Sequence, residues 1–389
     1  MSGPATEAGQ ATADIAIVGA GLVGAALALG CARQGARVTL CDAGEDRFHA
    51  SAGNFGLVWV QGKGQTVPAY ARLSRRSAAA WAGFADSLAD EHGTPAYAGT
   101  GGVKIALGQD ELNGFAAALD RMRHRAEPTD NDTRLIDARE LRERVPAVGP
   151  DAVGGLFCPH DGHADPLGTL HALHRALVRH PRVRVVRARI ERVLPGGTDA
   201  PFTLQHAAGG VRAARVVIAA GHGAPTLAAA LGLDARVRPQ RGQIVVTERV
   251  APFLDIACHT VRRTGDGTLL LGDSKEDVGF DVRTTGSATR SILARAVRTF
   301  PHLAGVRVVR TWGALRVLSP DGLPIYQAST RHPGASLVTC HSGVTLAASH
   351  ATEVARALVD DRLAERYAAF SPARFALTGD ERAAGTRAA

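Results

Sequence analysis

Three glycines, Gly19, Gly21 and Gly24, stand in the spacing G-x-G-x-x-G and predict the chemistry of the chain more clearly than its other residues. Glycines in this spacing permit a tight turn, let the backbone approach a pyrophosphate and let a helix pack closely on a strand. Asp42, farther along, can accept hydrogen bonds from ribose hydroxyls, and its charge would repel the 2′-phosphate of NADP. The predicted dinucleotide-binding residues are Gly19, Ala20, Gly21, Leu22, Val23, Gly24 and Asp42.

The elements that must position these residues form a strand–helix–strand unit. An apolar run at residues 15–18 predicts a strand, the Ala- and Leu-rich residues 25–34 predict a helix, and residues 37–41 predict a second strand that Asp42 ends. The start of the helix supplies N–H groups and a positive dipole end to the phosphates.

Two other interpretations of this region are weaker. Residues 15–32 are almost uncharged and approach the ~20 residues of a membrane span, but their glycines and the acid-tipped strand after them favour the nucleotide unit. Residues 216–223 also end in glycines, yet they lack the G-x-G-x-x-G spacing. The residues therefore predict one dinucleotide, either NAD with substrate bound elsewhere or FAD.

Composition excludes several classes of function. The chain has 389 residues, 45% of them hydrophobic, and its net charge of +8 comes almost wholly from arginines that are not interleaved with aromatic residues, which disfavours a nucleic-acid surface. Five cysteines without a C-x-x-C pair indicate free thiols in a reducing compartment, with neither a disulfide framework nor a metal site. Because no basic residue precedes Arg33, we expect no signal peptide, no transmembrane segment and a cytoplasmic protein.

Five further motifs, in order along the chain, resemble those of the D-amino-acid oxidase superfamily of FAD-dependent amine oxidoreductases. Residues 50–56 match the second flavin loop, and residues 216–221 match the strand that closes on FAD. Residues 241–243 match the R-G-Q sequence, and residues 312–324 match the W-x-G-x-R…P-D-G-x-P signature. Residues 340–346 match the last flavin loop. Two departures occur, since the glycine after Trp312 comes one place early and Cys340 replaces a glycine of the last loop. Residues 54–64 and the run S-P-D-G-L-P-I-Y most resemble bacterial flavoprotein subunits of opine oxidase, D-amino acid or D-hydroxyproline dehydrogenase and hydrogen cyanide synthase.

The resemblance implies roles for individual residues. Arg316 would clamp the substrate carboxylate, since guanidinium can donate two parallel hydrogen bonds to it. Lys63, His259 and His341 are candidates to line the site. Ala314 stands where a flavin-bound cysteine would fall in some relatives, so we expect non-covalent FAD. The further cofactor-binding residues that the resemblance implies are Ser51, Asn54, Gly56, Ile190, Ala220, Gly221, Ser342, Gly343, Val344 and Thr345.

The predicted activity is oxidation of the C–N bond of a small amino or imino acid, such as a D-amino acid, a D-proline-like compound or an opine, by hydride transfer from Cα to flavin N5. Sarcosine-oxidase-like relatives place a lysine near Leu270, and a leucine cannot supply its charge to oxygen. We therefore expect electrons to pass to another acceptor or to partner subunits. A hydrogen-peroxide-forming oxidase and an electron-transfer subunit without its own substrate turnover remain alternatives.

The element order predicts an α/β fold with α+β character in its second part. A β-α-β unit comes first, a β-rich centre follows with antiparallel strands at 243–247, 268–272 and 279–283, and a β-α unit comes last. We expect a Rossmann-like FAD-binding domain of the glutathione-reductase-related type and an interleaved antiparallel-sheet substrate domain. The predicted boundaries are 13–92, 152–230 and 314–372 for the first, 93–151 and 231–313 for the second, and 1–12 and 376–389 for flexible tails.

Overall fold

The architecture is that of a computed structural model, which describes residues 13–44, 50–65, 67–124, 132–196 and 200–376. The predicted tails, 1–12 and all of 376–389 except Ala376, lie outside the described residues. All five cysteines are free thiols, as their number and spacing predict.

A largely parallel sheet holds the strand–helix–strand unit. Its first strand is paired on both sides, with Ile17 opposite Leu40 and Val217, and near-continuous apolar sequence suits a strand buried on both faces. The strands are β1 (Ala13–Val18), β2 (Val38–Asp42), β9 (Val183–Arg187), β10 (Arg192–Leu194), β11 (Phe202–His206), β12 (Gly209–Ile218), β18 (Ile325–Ala328) and β19 (Ala335–Thr339). The order of the parallel strands is β9-β2-β1-β12-β19, with antiparallel neighbours at β11 and β18.

A second, antiparallel sheet faces the first across the site. Its two long strands pair with Gly242 opposite Ala314 and Gln240 opposite Arg316. The sheet order is β15-β16-β13-β17, from β13 (Arg238–Arg249), β15 (Val261–Arg263), β16 (Thr268–Leu271) and β17 (Val308–Leu318). Smaller sheets contain β3 (Leu57–Val58), β4 (Tyr97–Ala98) and β8 (Gly162–Ala164), and β5 (Gly102–Ala106), β6 (Arg134–Asp137), β7 (Gly154–Cys158) and β14 (Ala257–Cys258).

Helices cover these sheets. They are α1 (Leu22–Arg33), α2 (Pro68–Asp86), α3 (Gln109–Arg123), α4 (Ala138–Arg144), α5 (Pro166–Arg179), α6 (Ala224–Ala228), α7 (Gly286–Thr299), α8 (Ala347–Ser349), α9 (Ala355–Val359) and α10 (Leu363–Arg366). The π-helical turn His350–Val354 joins α8 to α9, and α1 packs against it so closely that a Cβ on Gly30 would lie 2.3 Å from the Ala351 carbonyl oxygen. In the described ranges, the helices fall short of the length and hydropathy that crossing a bilayer requires.

One predicted strand is wrong. Residues 279–283 form a loop between β16 and α7, although the apolar side chains of Val278, Phe280 and Val282 alternate as in a strand. Phe280 is 68% exposed, so the alternation does not mark a buried face. The segment is instead held to β13 by a single backbone bridge between Arg241 and Glu276 and by the guanidinium of Arg241, which pairs with Glu276 and Asp281. The predicted α/β fold with an antiparallel second sheet is confirmed, and the strands expected at 243–247 and 268–272 fall in β13 and β16.

Candidate active site

The carboxyl ends of the parallel strands bring the predicted cofactor segments to one edge of the sheet. Gly19 follows β1, Asp42 ends β2, Ala220 comes shortly after β12, and Cys340 follows β19. Open α/β sheets bind ligands in the crevice outside these ends. Segments that are hundreds of residues apart in the sequence therefore meet at one site.

The three glycines of the motif have the tight surroundings that their spacing predicts. Gly19 has a φ of +107°, and a Cβ there would lie 2.5 Å from the Ala219 carbonyl oxygen. A Cβ on Gly24 would lie 1.8 Å from the Gly19 carbonyl oxygen, so this glycine lets α1 pack on the turn. The Cβ of any other residue at Gly21 would lie 2.9 Å from Ser51 Oγ, in the space before the first turn of α1.

A cavity of about 1960 Å³ runs along this edge. It is roughly twice the ~1,000 Å³ of the largest ordinary small-ligand pockets, so it has room for a dinucleotide and a substrate. At one end the carboxylate of Asp42 accepts hydrogen bonds from the N–H of Ala20 at 2.7 Å and of Gly44 at 2.8 Å. Arg316, His259 and His341 line the same cavity.

Most of the predicted site residues line this cavity. Gly24 and Gly56 do not line the cavity but permit close backbone packing next to it. Gly56 has a φ of +95°, and a Cβ there would lie 2.4 Å from the Ala164 carbonyl oxygen. The cavity-lining members of the predicted set are Gly19, Ala20, Gly21, Leu22, Val23, Asp42, Ser51, Asn54, Lys63, Ile190, Ala220, Gly221, His259, Arg316, His341, Ser342, Gly343, Val344 and Thr345.

Hydrogen bonds to other segments of the chain hold the last flavin loop in place. The hydroxyl of Thr345 accepts a hydrogen bond from the Trp59 N–H at 3.1 Å and donates one to the Leu57 carbonyl at 3.3 Å. The indole N–H of Trp81 donates to the Val344 carbonyl at 3.0 Å. Because these bonds hold its backbone, the loop can present a defined surface to the cavity.

Arg316 lies across the neighbouring strand β13. Its guanidinium pairs with the Asp273 carboxylate and donates to the carbonyls of Ser274 at 2.9 Å and Arg241 at 3.3 Å. A Cβ on Gly242 would lie 2.5–2.7 Å from the guanidinium atoms, so only a glycine there leaves room for this placement. The result is a cation that is oriented before any ligand binds.

The two site histidines are neutral groups. The pKa of His341 is lowered to about 3, first by burial and then by the charges of Lys63 and Arg316. Burial likewise lowers the pKa of His259 to about 3, with Lys104 as the next cause. Nδ1 of His259 is buried without a hydrogen-bond partner among the described residues, so it is free to meet a polar ligand group.

Sequence reasoning missed three contributors to this site. Gly242 was visible as part of R-G-Q, but the need for a glycine beneath Arg316 depends on the β13–β17 register. Asp273 follows β16 without any motif to mark it. Tyr70 lies in the first turn of α2, whose apolar face indicates core packing, yet its hydroxyl reaches Lys63 and Ser342.

The residues present fit FAD. Gly21 leaves the backbone open before α1, and Asp42, Ser51 and Ser342 line one cavity with it, which is large enough for a dinucleotide. A dinucleotide bound by this motif would extend its second half toward Arg316.

Comparison with known proteins agrees with this geometry. The sequence profile of the FAD dependent oxidoreductase family, DAO, matches residues 14–357. One of the opine oxidase subunits of Rhizobium meliloti is 36% identical over 363 residues, which cover 93% of this chain and 97% of the relative. The hydrogen cyanide synthase subunit HcnC of Pseudomonas aeruginosa is 29% identical over 354 residues, covering 81% and 84%.

A solved structure shows the same fold. Glycine oxidase from Geobacillus kaustophilus superposes with a TM-score of 0.80 at 22% identity, covering 91% of this chain and 96% of the other. The family resemblance of the sequence motifs is confirmed, and FAD, rather than NAD, is the cofactor of this family. The chain belongs to the DAO family of FAD-dependent oxidoreductases.

Proposed function

We propose that this oxidoreductase removes a hydride from the Cα of a small amino or imino acid, with a D-amino acid, a D-proline-like compound or an opine as the substrate class. Non-covalent FAD supplies the hydride acceptor at its N5. The substrate gives up two electrons and the Cα hydrogen as hydride, its nitrogen loses a proton to solvent, and a C=N bond forms. Water then hydrolyses the imine to a keto acid and ammonia or an amine, unless the imine is cyclic.

The observation that carries the proposal is the placement of Arg316. Its guanidinium belongs to a residue that lines the same cavity as Asp42, and it is fixed by Asp273 and the carbonyl of Ser274. A prearranged guanidinium favours a carboxylate, because charge-assisted bidentate hydrogen bonds are stronger than neutral ones. Such a clamp turns the Cα–H of the substrate toward the cofactor, and orientation accounts for much of the rate in this kind of transfer.

The neutral histidines support an anionic substrate. His341 and His259 remain uncharged at ordinary pH, because burial and neighbouring cations lower the pKa of each to about 3. They can donate or accept hydrogen bonds without adding charge to the cavity. Hydride transfer needs no dedicated general base, since the amine can lose its proton on binding.

We propose a non-oxygen electron acceptor, with partner subunits as the means of reaching it. The first support is Leu270, which lies buried in β16 and supplies no charge. The second is that two of the relatives are named as subunits, of opine oxidase and of hydrogen cyanide synthase. The alternative of a peroxide-forming oxidase is favoured by one observation, the presence of Lys63 in the cavity wall.

An anaerobic screen tests the substrate class. D- and L-amino acids, N-methyl amino acids, proline analogues and opines are mixed with the FAD-bound protein, and loss of flavin absorbance near 450 nm is recorded. We expect bleaching by members of one class and none by the matching amines without a carboxylate. If the purified chain bleaches with no amino or imino acid, the electron-transfer-subunit alternative replaces the proposal.

The Arg316→Ala variant tests the clamp. Loss of a charge-assisted bidentate contact of ~2–3 kcal/mol predicts a drop in kcat/KM of about 30- to 150-fold. Arg362→Ala is the matched control, because Arg362 also pairs with a carboxylate, Glu365, but on the surface. Repeating the turnover assay with oxygen and then with an artificial dye separates an oxidase from a dehydrogenase.

A further inference from the structure

Lys63 is held in the cavity wall by two hydroxyl groups. Its ammonium contacts Ser342 Oγ and lies 2.7 Å from the hydroxyl of Tyr70, and these two hydroxyls are 2.6 Å apart. The ammonium also lies 4.7 Å from the centre of the Tyr70 ring, where cation–π attraction adds to the hydrogen bonds. Tyr70 and Ser342 are 5% and 7% exposed, so the position of the lysine is determined by buried groups.

The charge of Lys63 is not cancelled by direct contact. Within the described ranges, Nζ of Lys63 has no carboxylate oxygen at ion-pair distance, whereas Arg316 pairs with Asp273. The charge of Lys63 lowers the pKa of the buried Asp161 carboxyl group, although the larger effect of burial raises it. The hydrogen-bond partners of this carboxyl group are other residues: it accepts from the Val60 N–H at 2.5 Å and from the side-chain amide of Gln61 at 2.6 Å. Lys63 therefore projects net positive charge into this end of the cavity.

The neighbouring groups leave that charge as the dominant one. The imidazole of His341 is neutral, since its low pKa results from burial and then from Lys63 and Arg316. Burial also raises the pKa of the Cys340 thiol to about 12, so it stays protonated even with Lys63 nearby. Lys63 and Ser342 line the same cavity as Gly21 and Arg316, and Ser342 belongs to the last flavin loop, which would hold the ring of FAD.

We infer that Lys63, positioned by Tyr70 and Ser342, is the cation that stabilises the negative charge gained by the ring of FAD during hydride transfer. A hydride brings two electrons and one proton, so the ring gains one negative charge unless a second proton follows. A fixed charge in a partly dried site stabilises such an anion far more than water-screened charge does. The inference rests on the proposed hydride transfer to FAD.

This inference changes the meaning of Leu270. Leu270 supplies no charge at the position where sarcosine-oxidase-like relatives place a lysine. The structure provides one from another element, the segment after β3, and binds it to the last flavin loop. Lys63 is placed in the cavity wall by its contact with Ser342, which is 279 positions away in the sequence.

Sulfite affinity and reduction potential test the inference without any substrate. Sulfite adds to flavin N5 and leaves the ring negatively charged, so its dissociation constant reports cationic stabilisation. For Lys63→Met we expect sulfite to bind about tenfold more weakly or worse, as loss of a nearby unit charge implies, together with a lower reduction potential of bound FAD. For Lys63→Arg, which keeps the charge, we expect sulfite affinity within about threefold of the wild type.

Lys104→Met is the matched control. Lys104 is also half-buried and lies 4.4 Å over an aromatic ring, that of Phe115, but it does not line the cavity. Its loss should leave sulfite affinity and potential unchanged. Tyr70→Phe, which keeps the lysine but removes one of its anchors, should weaken sulfite binding by less than Lys63→Met does.

The outcomes separate this inference from the proposed function. A Lys63→Met protein that binds FAD with wild-type sulfite affinity and potential would overturn the role of Lys63 alone. A wild-type protein whose FAD binds sulfite but is bleached by no amino or imino acid would overturn the proposed function alone. If Lys63→Met and Lys63→Arg lose sulfite affinity equally, the lysine acts through packing and the inference is wrong.

Discussion

The placement of Arg316 depends on a residue that never touches substrate, Gly242. The guanidinium lies flat across β13 at this position, and its carbonyl partners belong to Arg241 and Ser274. The glycine therefore sets the height of the carboxylate clamp above the sheet.

Gly242→Ala should displace the clamp without unfolding the sheet. Its Cβ would come within 2.5 Å of an Arg316 nitrogen, so the side chain must move, although the strand backbone can accept alanine. We expect kcat/KM to fall by about tenfold or more, since a small misplacement of an orienting group is costly, while FAD affinity is kept. Steady-state kinetics with the substrate from the anaerobic screen measures the effect.

Gly210→Ala provides the control. Gly210 also lies within a strand, but its added Cβ would make ordinary contacts of 3.4 Å and 3.5 Å far from the cavity. If both alanine variants keep wild-type kcat/KM, Arg316 does not need the space above Gly242.

At the residue scale, sequence reasoning succeeds where a local pattern carries the physics. The turn at Gly19 and the acid at Asp42 belong to one strand–helix–strand unit, so their roles follow from spacing. Arg316 could be proposed only from a family resemblance, since the arginines of this chain are many and scattered. The contacts of Arg316 with Asp273 and of Lys63 with Ser342 depend on the tertiary path of loops, which no local pattern encodes.

At the scale of elements, close packing of α1 against the π-helical turn His350–Val354 determines where α1 lies. Gly30 faces the π-helical turn, where an added Cβ would lie 2.3 Å from the Ala351 carbonyl oxygen and 2.6 Å from Ala355 Cβ. A π turn widens the helix locally, and such turns often occur beside functional sites. The last flavin loop, residues 340–346, comes directly before α8, the helix that leads into this π turn.

Gly30→Ala should therefore destabilise the protein, even though alanine is the better helix former. Overpacking costs ~1–3 kcal/mol, which exceeds the gain of up to ~1 kcal/mol from helix propensity. Thermal unfolding of the FAD-bound protein measures the loss. Gly114→Ala in α3, where the added Cβ meets open space, should be neutral or stabilising, and an equal response of both variants would contradict the packing argument.

The loop between β16 and α7 illustrates why one element was predicted wrongly. Its alternation of Val278, Phe280 and Val282 is typical of a strand, but the segment has no neighbouring strand to pair with along that stretch among the described residues. Arg241, 3% exposed, holds it instead through Glu276 and Asp281. Pairing by side chains leaves no periodic signal in the sequence.

Glu276→Gln should loosen this loop. The variant leaves the buried guanidinium of Arg241 with Asp281 as its remaining ionic partner, and Gln243 and Ser274 also lose a charged acceptor. We expect faster amide hydrogen exchange in residues 274–285, with exchange in β1 and β2 unchanged. Unaltered exchange in the loop would show that backbone contacts alone are sufficient to hold it.

At the scale of the whole molecule, a parallel sheet supplies the cofactor edge and an antiparallel sheet supplies the clamp. Order along the chain predicts this division, because a β-α-β unit comes first, a β-rich centre follows and a β-α unit comes last. The domain boundaries at 92, 151, 230 and 313 remain a prediction. Within the described residues, both sheets contribute walls to one cavity.

Burial of neutral histidines has a consequence for the stability of the whole molecule in acid. His259, His341 and His350 each have a pKa lowered to about 3, with burial as the first cause. In the unfolded chain each would titrate near its usual value of about 6.5. Between these values the unfolded state binds more protons, so the free energy of unfolding falls as pH decreases through 6.5 toward 3.

Asp161 acts in the opposite direction. Burial raises its pKa to about 7, so in the folded state it holds a proton that the unfolded chain has lost between about pH 4 and 7. The three N–H bonds from Val60 and Gln61 favour its ionised form and reduce this effect. Three histidines therefore outweigh one carboxyl group, and we expect a net loss of stability between pH 7.5 and 5.

His350→Gln isolates one of the three contributions. His350 lies outside the cavity lining and contacts the Tyr326 hydroxyl at 2.7 Å, a partner that an amide can also serve. At pH 5 each buried histidine accounts for about 2 kcal/mol of lost unfolding free energy, so the variant should lose less stability than the wild type by this amount. Urea unfolding of the FAD-bound proteins at pH 7.5 and 5 measures it, with His92→Gln, a surface change, as control. Equal losses in the His350 variant and the wild type would mean that acid sensitivity has its origin elsewhere, in carboxylates such as Glu111 whose pKa is held low by Arg295 and which titrate only in stronger acid.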